Sequence, residues 1–246
     1  MAKTIYGING VIEALRQGMS IVELFVAPGK KAGRLQEILD LARARDIPIR
    51  FKDRIYLNSI SKTSSHQGIV AVVSRYSYST IEQLTEIALS QQSKALLVVA
   101  DHIMDPGNLG SLIRTAEFFG AQGLVIPRDR AAPITDIVHK RSAGGTVYLP
   151  VAQVVNLARC LGQMADAGIW IVGAEGTAET PVCRFDWDRH AALVLGSEGK
   201  GLSRIVRERC HDLVRIPRLG RIESLNVSVA GGIILYEILR QRDYSR

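Results

Sequence analysis

Cysteine is scarce in this sequence, and the three cysteines present are far apart. Cys160, Cys183 and Cys210 form no C-x-x-C pair and are odd in number. This spacing argues against a disulfide framework and a zinc site, and it favours a reducing compartment. The five histidines show no metal-ligand spacing such as H-E-x-x-H, and no G-x-S-x-G elbow occurs. We therefore expect neither a bound metal nor a serine hydrolase.

Long hydrophobic runs are also missing. The longest, such as Ala95–Ala100 and Ala191–Leu195, fall far short of the ~20 residues that a membrane helix needs. The first residues, MAKTIYGING, do not resemble a signal peptide. Hydrophobic residues make up 47% of the 246 residues and charged residues 22%, which is ordinary for a globular protein. We expect a soluble cytoplasmic protein of one or two domains.

Positive charge is concentrated in the first third of the chain. Of the net charge of +7, residues 1–75 contribute +6, from 12 basic and 6 acidic residues. Such a concentration is typical of a module that binds a polyanion, because neutralised phosphates release counterions. From charge alone, a solvated basic face is an equal alternative. The candidate nucleic-acid-binding residues are those that cluster in the sequence: Lys30, Lys31, Arg34, Arg50, Lys52 and Arg54.

A polar, serine-rich stretch divides the chain. We interpret residues 74–80 as a linker and Ile81–Leu89 as a short helix that leads into a second domain. Helical and strand patterns alternate before the linker and predict a small α/β domain over residues 1–75. The lead-in region covers residues 76–93, and the second domain covers residues 94–246.

The second domain is predicted to be built on a parallel sheet. Its strands are almost continuously apolar, as expected for strands buried on both faces, and helical segments separate them. Ligand sites in such sheets lie beyond the carboxyl ends of the strands. The predicted strands are Ala95–Ala100, Gly123–Ile126, Ile169–Val172, Ala191–Leu195 and Leu213–Ile216, and the predicted helices are Leu109–Phe119, Ile134–Ser142, Val154–Ala167, Leu202–Cys210 and Leu225–Arg240.

The first loop of interest is Asp101–Arg114, DHIMDPGNLGSLIR. A turn at Asp105-Pro106-Gly107 precedes Asn108, which we expect to be the helix N-cap. Arg114 follows nearly two turns into the helix. Taken alone, the loop is better explained as an ordinary capped helix that carries a surface arginine, by about two to one.

The second loop, Gly196–Gly201, follows a predicted strand and has three glycines in six residues. Glycines let a backbone fold closely around a ligand. The loop is neither a P-loop nor a dinucleotide fingerprint, since Val194, Gly201 and Arg204 occupy positions that those motifs reserve for other residues. A plain tight turn would leave Glu198 unexplained, and the loop suggests a nucleotide-like ligand.

The third segment, IPRLGRIESLNVSVAGG, runs from Ile216 to Gly232. Ser224, Asn226 and Ser228 lie where it passes into a strongly apolar helix. Ser224 is a candidate N-cap, and Asn226 could pair with the backbone. The small residues that follow allow another backbone to approach closely, although glycine in a helix costs up to ~1 kcal/mol relative to alanine.

Together and in this order, the three segments resemble the signature motifs of the SpoU (TrmH) family of RNA ribose 2′-O-methyltransferases. The resemblance covers residues 94–242 and shows no departure at the motif positions. The first 75 residues, including IYGINGVIEAL, resemble the RNA-binding domain of the subgroup that methylates guanosine in 23S rRNA. The matching residues are Asn108, Gly110, Arg114, Gly196–Gly201, Ile216, Pro217 and Ser224–Ser228.

The resemblance implies an α/β domain of the SPOUT type with a trefoil knot, which patterning alone could not indicate. It also implies S-adenosylmethionine as cofactor, no metal, and a homodimer whose active site takes residues from both subunits. Cofactor contacts are expected at Gly196, Ile216 and Leu225, mainly through the main chain, with Leu195, Gly201 and Ala230 beside them. The catalytic residues implied are Asn108, Arg114, Glu198, Ser224 and Asn226.

The role of Arg114 has two interpretations. In the family, its counterpart is proposed to be the base that takes the proton of the ribose hydroxyl. A guanidinium is effectively always protonated, however. Arg114 could equally be a fixed positive charge that binds a phosphate and stabilises the forming alkoxide, with Glu198 holding it in place.

Other functions remain open. A tRNA 2′-O-methyltransferase is the alternative within the same class. A non-catalytic RNA-binding or ribosome-assembly factor is the alternative outside it, although such a factor would be free to lose Arg114, Glu198, Ser224 and Asn226. A nucleotide-binding dehydrogenase is disfavoured by the failed glycine fingerprints.

Overall fold

The computed structural model describes residues 3–16, 21–29, 33–73 and 76–243. Two of the candidate RNA-binding residues, Lys30 and Lys31, lie outside these ranges. The chain forms two compact units, Met1–Ser77 with Thr135–Ile137 and Tyr78–Ile134 with Val138–Arg246.

The first unit is a four-stranded sheet with helices on both faces. Its elements in chain order are β1 (Lys3–Tyr6), α1 (Ile8–Arg16), β2 (Ile21–Val26), α2 (Arg34–Arg43), β3 (Ile49–Phe51), α3 (Arg54–Ser61) and β4 (Ile69–Val73). The strand order is β1-β4-β2-β3, with only the β2–β3 pair parallel.

The alternation of side chains along β2 explains why both faces of this sheet are covered. Leu24 and Val26 belong to the larger buried cluster, which includes Leu15 of α1 and Ile38 of α2. Phe25 points to the other face, where it packs with Leu57 of α3 and Val70 of β4. Successive strand residues face opposite sides, so one strand contributes to two cores.

The second part of the chain is built on a larger sheet. Its elements are α4 (Ile81–Leu89), β5 (Leu96–Ala100), α5 (Pro106–Phe118), β6 (Gly123–Pro127), α6 (Asp136–Arg141), α7 (Gly145–Tyr148), β7 (Val151–Val154), α8 (Leu157–Asp166), β8 (Trp170–Ala174), β9 (Thr180–Pro181), a 3-10 helix (Val182–Arg184), β10 (Ala191–Leu195), α9 (Arg204–Arg207), β11 (Asp212–Arg215) and α10 (Val227–Asp243).

All seven strands of this sheet are parallel, in the order β7-β6-β5-β10-β8-β11-β9. Every residue of β5, β6 and β10 is buried, which is why these strands are apolar throughout. The predicted parallel α/β sheet is confirmed. Strands β6 and β7 lie on one side of β5. The next strand in the chain, β8, lies on the other side of β5, with β10 between them. Such a reversal of strand order is where doubly wound sheets bind ligands.

The bounds of two predicted helices were wrong, and one strand was missed. The helix predicted over Val154–Ala167 begins only at Leu157, because Val151–Val154 pairs with β6 as a strand. The helix predicted over Leu202–Cys210 is reduced to Arg204–Arg207. The edge strand Thr180–Pro181 was not predicted, because two residues leave no periodic pattern. The lead-in helix Ile81–Leu89 has the predicted bounds, with a capping box formed by Thr80 and Gln83.

Within the described ranges, the helices are all too short or too polar to span a bilayer. The trefoil knot stays a prediction.

Candidate active site

The site lies at the carboxyl ends of the neighbouring strands β5 and β10. The two loops that follow these strands are joined at their bases, since the backbone N–H of Asp101 donates to the carbonyl of Leu195 at 2.8 Å. The Asp101 side chain is only 1% exposed, and its Oδ2 accepts the backbone N–H of Ser203 at 2.6 Å. The sheet therefore holds both loops in one place.

The start of α5 differs from the prediction. Asp105, not Asn108, is the N-cap, and its Oδ1 accepts the backbone N–H of Asn108 at 2.7 Å. Pro106 follows in the first turn, where its missing N–H costs nothing. Asn108 is thus inside the first turn, and its side-chain amide is available for other contacts.

The glycine loop after β10 folds back on itself. Ser197 and Gly201 exchange backbone hydrogen bonds of 3.1 and 2.9 Å. A Cβ at Gly196 would overlap the backbone of Gly201, so only glycine permits this close return. Gly201 itself has φ +64°, a left-handed conformation that favours glycine. The loop presents Glu198 at its exposed tip.

Asn226 immediately precedes α10 and caps it, so the candidate N-cap Ser224 does not have that role. The Asn226 carbonyl accepts the N–H of Ala230 at 2.9 Å. Its side-chain Oδ1 accepts from the backbone N–H of Ser228 at 3.0 Å and from the Ser228 hydroxyl at 2.6 Å. These bonds occupy the amide oxygen and fix the direction of the amide nitrogen.

Asn108, Glu198 and Asn226 meet in what we name the amide–carboxylate cluster. Glu198 Oε1 accepts from Asn108 Nδ2 at 2.9 Å and from Asn226 Nδ2 at 2.7 Å. Asn226 Nδ2 also donates to Asn108 Oδ1 at 2.8 Å. The three residues are up to 118 positions apart in sequence. All three predicted signature segments thus contribute one side chain to a single network.

Arg114 does not join this cluster. Its side chain is exposed and has no hydrogen-bond or ion-pair partner among the described residues. The expectation that Glu198 holds Arg114 is wrong within one chain, because the bonds of Glu198 go to the two asparagines. Ser224 is also exposed and is not in contact with the cluster through any hydrogen bond.

The segment before α10 is open. Residues 217–225, which we name the exposed segment, are all exposed, and Leu225 retains 49% of its accessible surface. Apart from Arg218 donating to the Ile222 carbonyl at 3.4 Å, neither this segment nor Ile216 makes a hydrogen bond to other described residues. Buried backbone N–H and C=O groups nearly always have partners within the protein, but this exposed segment does not need them. This stretch therefore offers unpaired main-chain groups beside apolar side chains.

The remaining predicted cofactor positions lie close to these elements. Leu195 is buried at the end of β10, and Ala230 is half-buried in the first turn of α10. A Cβ at Gly231 would approach Leu112 and Leu195 to 2.8 and 2.9 Å. The small residue lets α10 pack tightly against α5 and the end of β10.

Sequence reasoning missed a cavity between the strand-end loops, which we name the loop cavity. It encloses about 520 Å³, and its lining includes Asn108 and Glu198 of the cluster. His102, Met104, Arg130 and Lys200 also line it. No local pattern marks these four residues, because they come from loops that only the sheet brings together.

The basic residues of the first unit do not form one common network. Arg34 Nη1 donates to Asn9 Oδ1 at 2.9 Å, and Arg50 pairs with Glu23. Lys52 Nζ lies 5.4 Å from the centre of the Tyr56 ring, a cation–π arrangement. Arg54 is exposed at the first position of α3.

The largest pKa shifts in the second unit belong to two thiols outside the cluster. Burial raises the pKa of the Cys160 and Cys210 thiols to about 12. Burial also raises the pKa of Tyr78, whose oxygen accepts the backbone N–H of Ile134. Among the described residues, no three His, Cys, Asp or Glu side chains gather as a metal site.

Comparison with known proteins identifies the family. The SpoU rRNA Methylase family matches residues 95–236, and the domain described as RNA 2′-O ribose methyltransferase substrate binding matches residues 4–79. The chain therefore belongs to the SpoU rRNA methylase family. It is an RNA 2′-O-methyltransferase of the SpoU/TrmH type.

Individual relatives extend over nearly the whole chain. The 23S rRNA (guanosine-2′-O-)-methyltransferase RlmB of Coxiella burnetii is 41% identical over 249 residues, covering 98% of this chain and 96% of that protein. The TrmH-family protein YacO of Bacillus subtilis is 39% identical over 239 residues, covering 97% and 96%.

A solved structure supports the same assignment. The SpoU methyltransferase AviRb of Streptomyces viridochromogenes, crystallised with AdoMet, superposes with a TM-score of 0.63 at 27% identity, covering 98% of this chain and 90% of that one.

Proposed function

We propose that this enzyme transfers a methyl group from S-adenosylmethionine to the ribose 2′-hydroxyl of a guanosine in 23S rRNA. The observation that carries the proposal is the amide–carboxylate cluster, in which one residue from each signature segment meets at the ends of β5 and β10. The relative RlmB, with its named 23S rRNA guanosine activity, supports the choice of RNA and nucleoside. Such a substrate would place the enzyme in the cytoplasm.

The residues present fit S-adenosylmethionine. The unpaired backbone of Ile216 and the exposed segment offers donors and acceptors to a polar ligand, and the exposed Leu225 side chain offers apolar contact. The tight return at Gly196 and Gly201 brings a second stretch of backbone to the end of β10. We propose that Gly196, Ile216 and Leu225 hold the cofactor by main chain. When bound, the cofactor supplies an electrophilic methyl group on a sulfonium.

The chain's own residues must orient the ribose and manage its charge. Methyl transfer is an in-line displacement, so the hydroxyl oxygen must be aligned with the methyl carbon. We propose that the cluster orients these groups and that Ser224 contributes a hydroxyl. Because Arg114 has no carboxylate partner among the described residues, its charge is not neutralised. We therefore assign it the role of stabilising the developing alkoxide or binding the adjacent phosphate.

We propose that the first unit binds the RNA. Its match to the family's substrate-binding domain and its net charge of +6 over residues 1–75 support this role. Lys52 and Arg54, at the junction of β3 and α3, and Arg34 are exposed on the described surface. Arg50 also belongs to the proposed set, although its pairing with Glu23 weakens its attraction for phosphate.

We propose that the active enzyme is a homodimer whose sites take residues from both subunits. An exposed apolar surface on α5 and α10 supports this proposal. Phe118 is 78% exposed and Tyr236 55%, and Val229 and Ile233 lie on α10 at spacings of seven and three residues before Tyr236. The rings of Phe118 and Tyr236 both contact that of Phe119, and adjoining exposed apolar side chains of this kind are typical of a protein interface. A partner could supply the contacts that Arg114 and Ser224 lack within one chain.

The test is transfer of labelled methyl from S-adenosylmethionine to unmodified 23S rRNA and tRNA transcripts. Wild type is compared with Arg114→Ala, and 2′-O-methylation is located by the resistance of the modified linkage to alkaline cleavage. Label in 23S rRNA ribose that is lost in the variant supports the proposal. Label only in tRNA would keep the chemistry and overturn the substrate. No label in either RNA, with cofactor binding intact, would point to a ribosomal particle or a binding factor.

The two roles of Arg114 are separated by Arg114→Lys. A lysine acting as base would recover activity as the pH rises, because its amine must first lose a proton. A lysine acting as a fixed charge would keep a low activity that does not rise with pH.

A further inference from the structure

The loop cavity has two unusual positions in its wall. His102 and Arg130 both line it, and both have left-handed backbones, with φ of 58° and 54°. Residues other than glycine rarely adopt this conformation, and it is maintained only where the surroundings impose it. The fold of the loops, and not the backbone preference of each residue, therefore sets the conformation at His102 and Arg130.

Hydrogen bonds fix these loops to each other. The backbone N–H of Ala132 donates to the carbonyl of Ile103 at 2.9 Å, which joins the loop after β6 to the loop after β5. The His102 ring is held by its Nδ1, 2.5 Å from Oδ1 of the buried Asp101. Since Asp101 also accepts from Ser203, the His102 ring is anchored through one side chain to two loops.

The charges around the cavity are not equally available. Asp101, Asp105 and Glu198 each accept hydrogen bonds from groups of the same chain. Arg130 and Lys200 are exposed and have no ion-pair or hydrogen-bond partner within the described ranges. Hydrogen bonds within the chain therefore occupy the carboxylates, whereas Arg130 and Lys200 keep donors that can pair with an anionic ligand.

An exposed apolar side chain lines the same cavity as these two cations. Met104 is 68% exposed at the cavity, and the His102 ring lies two residues before it. A volume of about 520 Å³ is within the roughly 300–1,000 Å³ of small-molecule sites. Proteins bind an unstacked nucleotide with cations that contact its phosphates and with aromatic or apolar side chains that contact its base.

We propose that the loop cavity binds the target nucleotide of the RNA, taken out of its stack. Arg130 and Lys200 contact the flanking phosphates, while His102 and Met104 contact the base. The assignment rests on the proposed function. It adds a pocket that brings the ribose to Asn108 and Glu198, which line the same cavity.

The test compares Arg130→Gln with Arg128→Gln. Arg128 is a matched control, since it is exposed in the same loop, contacts Asp129 at 3.5 Å and does not line the cavity. The rate of methyl transfer is measured against RNA concentration at several KCl concentrations, on whichever of 23S rRNA and tRNA the wild type methylates. Lys200→Gln is a second variant of the same kind. His102→Asn removes the ring but keeps a residue that tolerates left-handed backbone.

We expect Arg130→Gln and Lys200→Gln to raise KM for RNA about tenfold with little change in kcat, and to reduce the slope of log KM against log[KCl] by roughly 0.7 each, as for loss of one phosphate contact. His102→Asn should raise KM about fivefold or more through lost stacking. Arg128→Gln should stay within about twofold of wild type in KM. Affinity for S-adenosylmethionine, measured by calorimetry, should not change in any of them.

Two results would overturn the inference. In one, Arg130→Gln has the same KM and salt slope as Arg128→Gln. In the other, Arg130→Gln or His102→Asn weakens binding of S-adenosylmethionine, which would make the cavity a cofactor site. If the wild type methylates no RNA at all, the proposed function fails first, and this outcome is distinct from both.

Discussion

The amide–carboxylate cluster and the exposed segment adjoin each other in sequence at Asn226, yet within one chain only the cluster has its polar groups paired. The cluster residues bond to each other, and Asn108 and Asn226 are also fixed by the start of a helix. The exposed segment, which ends immediately before Asn226, makes no hydrogen bond to the rest of the described chain. We infer that the cluster is preformed, whereas the backbone that we propose binds the cofactor obtains its partners from a ligand or a second subunit.

The largest effect is expected at Arg114, which stands outside the cluster. Arg114→Ala should lower kcat by about 10²–10³, the usual loss when one stabilising group of a developing anion is removed. Single-turnover methyl transfer measures the effect. Glu117→Ala, at an exposed position on the same helix, is the control and should keep wild-type activity. A loss below threefold in Arg114→Ala would remove Arg114 from the chemistry.

Breaking the cluster should have the next largest effect. Glu198→Ala removes the common acceptor of Asn108 and Asn226. We expect kcat/KM to fall about 10- to 100-fold, as for one or two hydrogen bonds to a charged group. The melting temperature should hardly change, because the cluster is exposed. Glu208→Ala, which breaks only the exposed pair with Arg204, is the control. A large drop in melting temperature with unchanged kcat/KM would mean that the cluster is structural.

The exposed segment should respond to the cofactor. Trypsin cleaves after arginine, and Arg218 and Arg221 are both exposed in this segment. Saturating S-adenosylmethionine should slow cleavage at these two sites about tenfold or more, because binding lowers the population of open backbone. NAD at the same concentration should have no effect. Equal cleavage rates with and without S-adenosylmethionine would separate the segment from the cofactor site.

The buried core under the site should show the smallest response. At pH 8, iodoacetamide should react mainly with the exposed Cys183, since burial raises the pKa of the Cys160 and Cys210 thiols to about 12 and thiolates are the reactive species. The unfolded chain should react at all three. Fast labelling of Cys160 or Cys210 in the folded protein would contradict the closed core.

The raised pKa of the same two thiols should also make the stability of the protein depend on pH. In the unfolded chain both thiols lose their protons near the ordinary cysteine pKa of about 8.5. In the folded chain both thiols stay protonated until about pH 12. The unfolded state then binds fewer protons, so the free energy of unfolding should fall as the pH rises from about 9 towards 12. Cys160→Ala should reduce this slope in denaturant titrations. An equal slope in the variant would show that Cys160 titrates normally.

How far the sequence predicts this molecule depends on the range of the interactions. The strand Ala191–Leu195 was predicted with its bounds, because five consecutive buried apolar residues leave a clear local pattern. The strand Val151–Val154 was not predicted, and its last residue was assigned to a helix, because four residues are too few to set a period. The N-cap at Asp105 was missed because Asn108 is an equally good capping residue type.

The site shows the same limit. Local patterns indicated three loops of interest at strand ends, and the family resemblance identified Asn108, Glu198 and Asn226. Their mutual contacts span up to 118 residues, so no local pattern could predict which side chain bonds to which. The loop cavity was missed for the same reason, since His102 and Arg130 become neighbours only through the order of the strands.

The most direct test of a shared site is subunit mixing. Arg114→Ala and Ser224→Ala are purified separately, unfolded, and refolded together in equal amounts, and labelled methyl transfer to 23S rRNA ribose is measured. If each site takes Arg114 from one subunit and Ser224 from the other, the mixture should regain about a quarter of the wild-type rate, because half of the dimers are mixed and each holds one intact site. A rate equal to the mean of the two separate variants would contradict the shared site.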